Sequence, residues 1–401
     1  MTNIMANQFI PYGRQHITQT DIDAVVAVLQ SDFLTQGSQV PAFEERVASY
    51  TGAKFGVAVN SATSALHIAC LALGLGQGEK GKDDWLWTTP ITFTASANCG
   101  LYCGANIDFV DIDPLTLNMS INALAEKLQL AHAENRLPKI VIPVHFTGEP
   151  CDMAAIHALS QQYGFKVIED ASHAIGGKYH KQPIGNCEFS DITVFSFHPV
   201  KIITTAEGGL ATTNDPALAE KMQLLRSHGI TRDANLMTQE PDGGWYYQQI
   251  DLGFNYRMTE LQGALGVSQM SYLDDFVTRR HQLGKRYDEL LKDLPIILPY
   301  RNPANYSGFH LYPIQLTTDS GKTRKQVFDS LRAQHIGVNV HYIPVHTQPY
   351  YAKLGFKQGD FPHAERYYAQ AISLPLYYDL SEASQAQVVD ALKIALAQAL
   401  A

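Results

Sequence analysis

The chain has 401 residues, 45% hydrophobic and 17% charged, with a formal net charge of −9 at neutral pH. That composition excludes a disordered or fibrous protein and leaves room for two or three domains around a large core. Lys and Arg gather in no run, so neither nucleic acid nor an anionic membrane meets an electrostatic footprint. A phosphorylated ligand would have to be held by local donors.

The five cysteines are Cys70, Cys99, Cys103, Cys151 and Cys187. Cys99 and Cys103 have no second pair with metal-ligand spacing, and a closed zinc site needs about four ligands. No metal is expected, and the cysteines read as buried reduced thiols. The polar start of the chain lacks the apolar core of a signal peptide, and no apolar run reaches bilayer length. These features point to a soluble cytoplasmic protein.

In chain order, Ile22, Val25, Val26 and Leu29 form an amphipathic pattern behind Thr20, a capped first helix. Phe43, Val47 and Tyr50 predict a second helix, followed by a strand over 54–59. Residues 65–73 are apolar almost all round and predict a buried helix. Strands are expected over 85–89, 106–110, 139–146, 166–170 and 192–197, with helices over 121–131 and 153–163 among them. That alternation predicts an α/β fold around a mostly parallel sheet, whose strand carboxyl ends usually hold the ligand. A long helix over 259–294 leads to a strand (309–316), a helix (325–334), a strand (337–342) and a final helix (382–400). The division expected is a large domain, 1–270, and a smaller C-terminal α+β domain, 271–401.

Two stretches carry the chemistry. Lys201 stands between an apolar strand and a Thr/Gly-rich turn, in Ser196-Phe197-His198-Pro199-Val200-Lys201. Asp170 ends another apolar strand. A lysine and an acid so placed are the parts needed to hold pyridoxal phosphate (PLP), the amine as Schiff base and the carboxylate against the pyridine nitrogen. A nucleophilic lysine needs its charge disfavoured, and Val200, Ile202 and Ile203 supply apolar surroundings. Opposite a pyridinium at ~4 Å, Asp170 would gain about 4 kcal/mol at an effective dielectric near 20. The other reading of Asp170 is a helix N-cap. His173 is either a contact to the cofactor's ring hydroxyl or a buried hydrogen-bonded histidine, and Glu169 reads as structural. Thr63 and Ser64 open a helix, where free N–H groups favour an anion, and Ser196 adds a hydroxyl for a phosphate. Phe93 offers a flat face to stack on a pyridine ring.

Together these residues resemble the DegT/DnrJ/EryC1/StrS family of fold-type I PLP aminotransferases, which act on nucleotide-linked keto sugars. The stretches that carry the resemblance include Leu34-Thr35-Gln36-Gly37, Glu169-Asp170-Ala171-Ser172-His173-Ala174, Thr204-Thr205-Ala206-Glu207-Gly208-Gly209 and Gly253-Phe254-Asn255-Tyr256-Arg257. The resemblance implies that Lys201 is the catalytic lysine, that Asp170 binds the ring nitrogen and that Phe93 stacks on the ring. It also implies that Thr63, Ser64 and Ser196 hold the phosphate. Asn255 would reach the cofactor phosphate of a neighbouring subunit, which implies a homodimer with shared active sites. The wording is closest to members of the pseudaminic acid pathway, in part because His173 stands where many relatives have Gln. That implies L-glutamate as amino donor and a UDP-linked 2-acetamido-2,6-dideoxy-4-keto-L-hexose as acceptor. Sugar contacts are then expected from Tyr12, Phe33, Leu34, Thr35, His341 and Tyr342. The alternatives are a relative acting on a dTDP- or GDP-linked sugar and a non-catalytic relative that binds PLP or a sugar nucleotide.

Overall fold

The computed structural model describes residues 9–78 and 81–397. The polar stretch 1–8 and the end of the expected last helix, 398–400, lie outside the described residues. The central sheet comprises β1 (Phe55–Val59), β2 (Trp85–Thr88), β3 (Asn106–Phe109), β4 (Ile140–Ile142), β5 (Lys166–Asp170), β6 (Ile192–Ser196) and β7 (Gly209–Thr213). Its order is β1-β7-β6-β5-β4-β2-β3. Strands β3, β2, β4, β5 and β6 are parallel, and β7 runs antiparallel to both β6 and β1. The architecture is the mixed, mostly parallel α/β sheet expected.

The helices are α1 (Gln19–Leu29), α2 (Gln39–Thr51), α3 (Ala62–Ala72), α4 (Ala95–Tyr102), α5 (Ile121–Ala133), α6 (Met153–Tyr163), α7 (Pro216–Arg226), α8 (Glu260–Met270) and α9 (Leu273–Leu291). After them come α10 (Arg324–Ala333), α11 (Pro362–Gln370) and α12 (Glu382–Ala397). Side chains alternate across the strands, so the sheet is buried on both faces. Val57, Leu86, Ile140 and Ile168 pack with α3, α4 and α7. Ala58, Trp87, Val141 and Val167 pack with α2, α5, α6, α8 and α9. A third core joins Ile10, Leu283, Tyr287, Leu331 and Val388 around a small antiparallel sheet, β8 (Ile296–Ile297), β9 (Tyr312–Leu316) and β10 (Ala371–Leu374).

Several expectations are corrected. The first helix is capped by Thr18, whose hydroxyl accepts the Asp21 N–H while the Asp21 carboxylate accepts the Thr18 N–H. Its Ile22, Val26 and Leu29 are exposed, and its buried face presents Asp21, which accepts from Gln269 Nε2 of α8 at 2.7 Å. The buried helix expected from residue 65 begins at Ala62. The long helix expected over 259–294 is two helices, because the Ser271 and Tyr272 N–H groups turn back to Ser268 and Gln269 three residues earlier and tighten the turn. The strand expected over 337–342 does not form. Val340 N–H bonds the neighbouring Asn339 side chain at 2.8 Å, leaving only an isolated bridge from Asn339 to Ser373. Of the cysteines, Cys70, Cys99, Cys151 and Cys187 are buried and free, and Cys103 is half-buried. Among the described residues no group of His, Cys, Asp and Glu is arranged to hold a metal ion. No described helix is long and apolar enough to cross a membrane.

Candidate active site

Strands β5 and β6 are parallel neighbours, and each delivers one polar residue at its carboxyl end, Asp170 and Ser196. Between β6 and β7 the chain makes the loop that carries Lys201. Its shape comes from its own residues. The Phe197 carbonyl accepts the Thr205 N–H and the Thr204 hydroxyl, both at 3.0 Å, and Gly208 O accepts Phe197 N–H at 2.9 Å. Gly209 must be glycine, because a Cβ there would lie 2.4 Å from Ala62 N and from Ser61 C. That close approach seats the start of α3 against the start of β7.

These elements enclose a cavity of about 550 Å³. Lys201, Asp170, Ser196, Thr63, Phe93 and His173 all line it, as do Tyr12, His341 and Tyr342. Four segments distant in sequence therefore meet around the lysine. The Lys201 side chain is accessible only in part, and burial lowers its pKa to about 8 while Asp170 pulls it upward. The amine is therefore far easier to deprotonate than a free lysine, at about 10.4.

Asp170 is fastened by two donors. Ser96 Oγ of α4 donates to Oδ2 at 2.6 Å and the Ser172 N–H to Oδ1 at 3.1 Å. Thr92 Oγ1 lies 2.7 Å from Ser96 Oγ and continues the chain. Glu169, one residue earlier, points away from the cavity. It lies 2.7 Å from His145 Nε2 and accepts from Ser190 and Thr193. His145 Nδ1 accepts the Cys151 N–H at 3.0 Å, which leaves the Nε2 proton to be donated to Glu169. Glu169 is structural.

His173 is buried and its Nε2 lies 3.0 Å from the Tyr342 hydroxyl. Burial holds it well below the usual imidazole range, assisted by nearby Lys201 and His341, so it is neutral. His341 is held down to about 3 by burial and then by Lys201, and its Nδ1 meets Ser373 Oγ at 2.8 Å.

Not every expected residue reaches the cavity. Ser64 does not line it: its hydroxyl donates to Asn60 Oδ1 at 2.6 Å and contacts Ser61 Oγ. Ser61 faces the cavity in its place and caps α3 by accepting the Ser64 N–H. Phe33, Leu34 and Thr35 are exposed and outside this cavity, and so is Asn255. Sequence reasoning missed Ser96, Ser172, His310 and Asn339. Only Ser96 had a signal, as one of three hydroxyl residues, with Thr92 and Thr94, at a helix start.

The residues present fit PLP. The lysine is desolvated, and a hydrogen-bonded carboxylate stands in the same cavity. The helix start presents Ser61 and Thr63, and Phe93 is 60% exposed, its ring meeting that of Tyr342 at 6.3 Å. His173 Nδ1 is a buried polar atom with no partner among the described residues, as expected where a ligand completes the site. Fold and site together define a PLP-dependent aminotransferase.

The DegT/DnrJ/EryC1/StrS aminotransferase family model matches residues 15–393, and the chain belongs to that family. It is 38% identical over 391 residues to the spore coat polysaccharide biosynthesis protein SpsC of Bacillus subtilis, covering 96% of this chain and 97% of that one. It is 36% identical over 374 residues to the UDP-4-amino-4,6-dideoxy-N-acetyl-beta-L-altrosamine transaminase of Campylobacter jejuni, covering 93% of each. Among solved structures, Helicobacter pylori PseC, an aminotransferase involved in the biosynthesis of pseudoaminic acid, superposes with a TM-score of 0.87. The two chains are 30% identical, and the match covers 97% of this chain and 99% of that one. The protein is thus a sugar aminotransferase that uses PLP.

Proposed function

We propose that the enzyme moves the amino group of L-glutamate to C4 of UDP-2-acetamido-2,6-dideoxy-β-L-arabino-hex-4-ulose. The product is UDP-4-amino-4,6-dideoxy-N-acetyl-β-L-altrosamine, for pseudaminic acid biosynthesis. The observation that carries this reading is the similarity to the Campylobacter transaminase along nearly the whole of both chains, together with a complete Lys201–Asp170 constellation. Lys201 and Asp170 are the groups we assign to the chemistry. Thr63 and Ser196 hold the phosphate, Phe93 covers the ring, and His173 binds an oxygen at the same site.

Bound in this cavity, PLP supplies the electron sink for the pair left when the Cα–H bond of the donor breaks. The chain supplies the rest. Lys201 Nζ, with its lowered pKa, takes the proton from the donor Cα as a general base and returns it as an acid in the second half-reaction. Asp170, oriented by Ser96 and Ser172, is placed to face the ring nitrogen and keep it protonated. Tyr12, His341 and Tyr342 line the same cavity and are assigned to the acceptor sugar.

The reading includes a homodimer of large (1–270) and small (271–401) domains that works in the cytoplasm. Exposed Ile22, Val26, Leu29, Phe33 and Leu34 form an apolar stripe that supports a covered interface. Phe33, Leu34, Thr35 and Asn255 would then serve the site of a second copy. The similarity to SpsC favours a second reading, the same chemistry on another nucleotide-linked 4-keto sugar.

The test converts the enzyme to its pyridoxamine form with L-glutamate and then adds the UDP-linked 4-keto-L-sugar. Return of the visible band of lysine-bound cofactor supports the assignment. A working glutamate half-reaction without that return moves the substrate to a different nucleotide sugar.

A further inference from the structure

His310 lies beside the Thr147–Gly148 turn, to which its N–H is tied through Thr147 O at 2.7 Å. Its ring lies 4.5 Å from that of His173, tilted by 48°, and both rings line the cavity. Both residues are nearly inaccessible, at 4% and 5% exposure. In each ring Nδ1 is buried without a partner among the described residues. An unmet buried donor or acceptor costs about 1–3 kcal/mol. Two such atoms on touching rings in one cavity are a cost that a bound molecule removes.

Arg280 of α9 stands behind the pair. It is 2% exposed, donates to the carbonyls of His310 (3.2 Å) and Leu376 (3.0 Å), and meets no carboxylate among the described residues. A buried cation without a counter-ion raises the local potential. The other charged or titratable groups that act on the two rings are Lys201 and His341, with the Tyr342 hydroxyl on His173 Nε2. Burial first, then His173, Lys201, Arg280 and His341, lowers the proton affinity of His310, so both imidazoles are neutral. The Tyr342 hydroxyl lies 3.0 Å from Nε2 of His173; where it donates there, the ring proton of His173 falls on Nδ1 and faces the cavity.

We propose that His173 and His310 act as one seat, two imidazole Nδ1–H groups backed by the Arg280 charge, for a single anionic oxygen of a bound molecule. Resting on the aminotransferase reading, this makes His310 a binding residue and Arg280 a positioning one. The oxygen is either the ring oxygen of the cofactor or a carboxylate oxygen of the amino donor.

The test compares cofactor-loaded wild type with His310→Phe, His310→Asn and Arg280→Met. Phe keeps the aromatic volume without a donor, whereas the Asn amide places a donor near the position of Nδ1. Two readouts are taken: the pH midpoint of the visible cofactor band, and KM for L-glutamate beside KM for the keto sugar. If the seat holds the ring oxygen, the midpoint rises by about one pH unit in His310→Phe, a tenfold change, with glutamate KM unchanged. If it holds a donor carboxylate, glutamate KM rises about tenfold, as for loss of a charged hydrogen bond, with the midpoint and sugar KM unchanged. Either way His310→Asn recovers part of the loss, and Arg280→Met moves the same readout in the same direction. The proposal is overturned if neither readout moves in folded His310→Phe, or if Asn is no better than Phe. Should His310→Phe not fold, an Arg280→Met enzyme with wild-type values for both readouts overturns it. A wild type with neither visible band nor glutamate turnover would instead sink the aminotransferase reading itself.

Discussion

Ser96 Oγ donates to Asp170 Oδ2 at 2.6 Å, joining the first turn of α4 to the carboxyl end of β5 across 74 positions of sequence. The contact fixes which way the carboxylate faces, and Thr92 Oγ1 at 2.7 Å from Ser96 Oγ holds the serine in turn. Ser96→Ala is expected to keep the fold and lower kcat about 10- to 100-fold, the worth of about 1.5–3 kcal/mol for a hydrogen bond to a charged group. Asp170→Asn removes the charge itself and should cost more. Steady-state rates of the two variants, compared side by side, check the ranking.

Lys201→Ala should abolish turnover while leaving the thermal transition cooperative. The amine also makes a prediction in the protein free of cofactor. Its pKa is lowered to about 8 from 10.5, so between those values the unfolded chain binds more protons than the native one. Stability then rises with pH across that window, and the burial penalty is fully felt below pH 8. Denaturant unfolding of apo wild type between pH 7 and 10 should show this rise, and Lys201→Met should lack it. Equal pH slopes for both proteins would contradict the assignment.

The phosphate seat is predicted to involve Thr63, Ser196 and Ser61 rather than Ser64. Thr63→Ala and Ser196→Ala should each raise the cofactor Kd about tenfold, near 1.4 kcal/mol. Ser64→Ala should raise it less, because its hydroxyl is committed to Asn60 and Ser61. Fluorescence titration of apo-enzyme with PLP separates these cases.

Gly209→Ala tests the close approach of β7 to α3. The added methyl meets backbone atoms at 2.4 Å, which no rotamer change relieves. A loss of about 1–3 kcal/mol is expected for such overpacking, with weakened cofactor binding because Ser61 and Thr63 are displaced. Wild-type Tm and Kd in this variant would refute it.

Glu169→Ala should lower Tm, since His145, Ser190 and Thr193 lose their common acceptor. The position of the visible cofactor band should not change. A shifted band would mean that Glu169 reaches the cofactor after all.

Much of this was legible before any coordinates. Short β-branched runs mark β5 and β6, and polar residues at their ends are expensive unless used, which singled out Asp170 and Ser196. Lys201 stood out because its neighbours are apolar. Helix α7 was also readable in principle, from Asp215 capping and Pro216 at the first helical position, but was missed. The failures share a cause. Residues 337–342 have the β-branched texture of a strand, yet the backbone there bends so that Asn339, His341 and Tyr342 all line the cavity. Period-two alternation would have sent every second one away from it. Ser61 faces the cavity where Ser64 was expected, because cap geometry depends on where the helix starts, and α3 starts at Ala62 rather than at residue 65.

Sequence alone determined the class of chemistry and the sheet that carries it, because strand periodicity and a lysine in an apolar setting are local properties. The tertiary structure decided which side chains meet. Ser96 on Asp170, Tyr342 on His173 and His310 beside His173 join residues 74, 169 and 137 positions apart, counted from their numbers. Such contacts follow from the crossing of helices and loops over one sheet edge, where side-chain geometry rather than local propensity selects the partner. The desolvation that lowers the Lys201 pKa belongs to the same level, since a pKa depends on everything packed around the group.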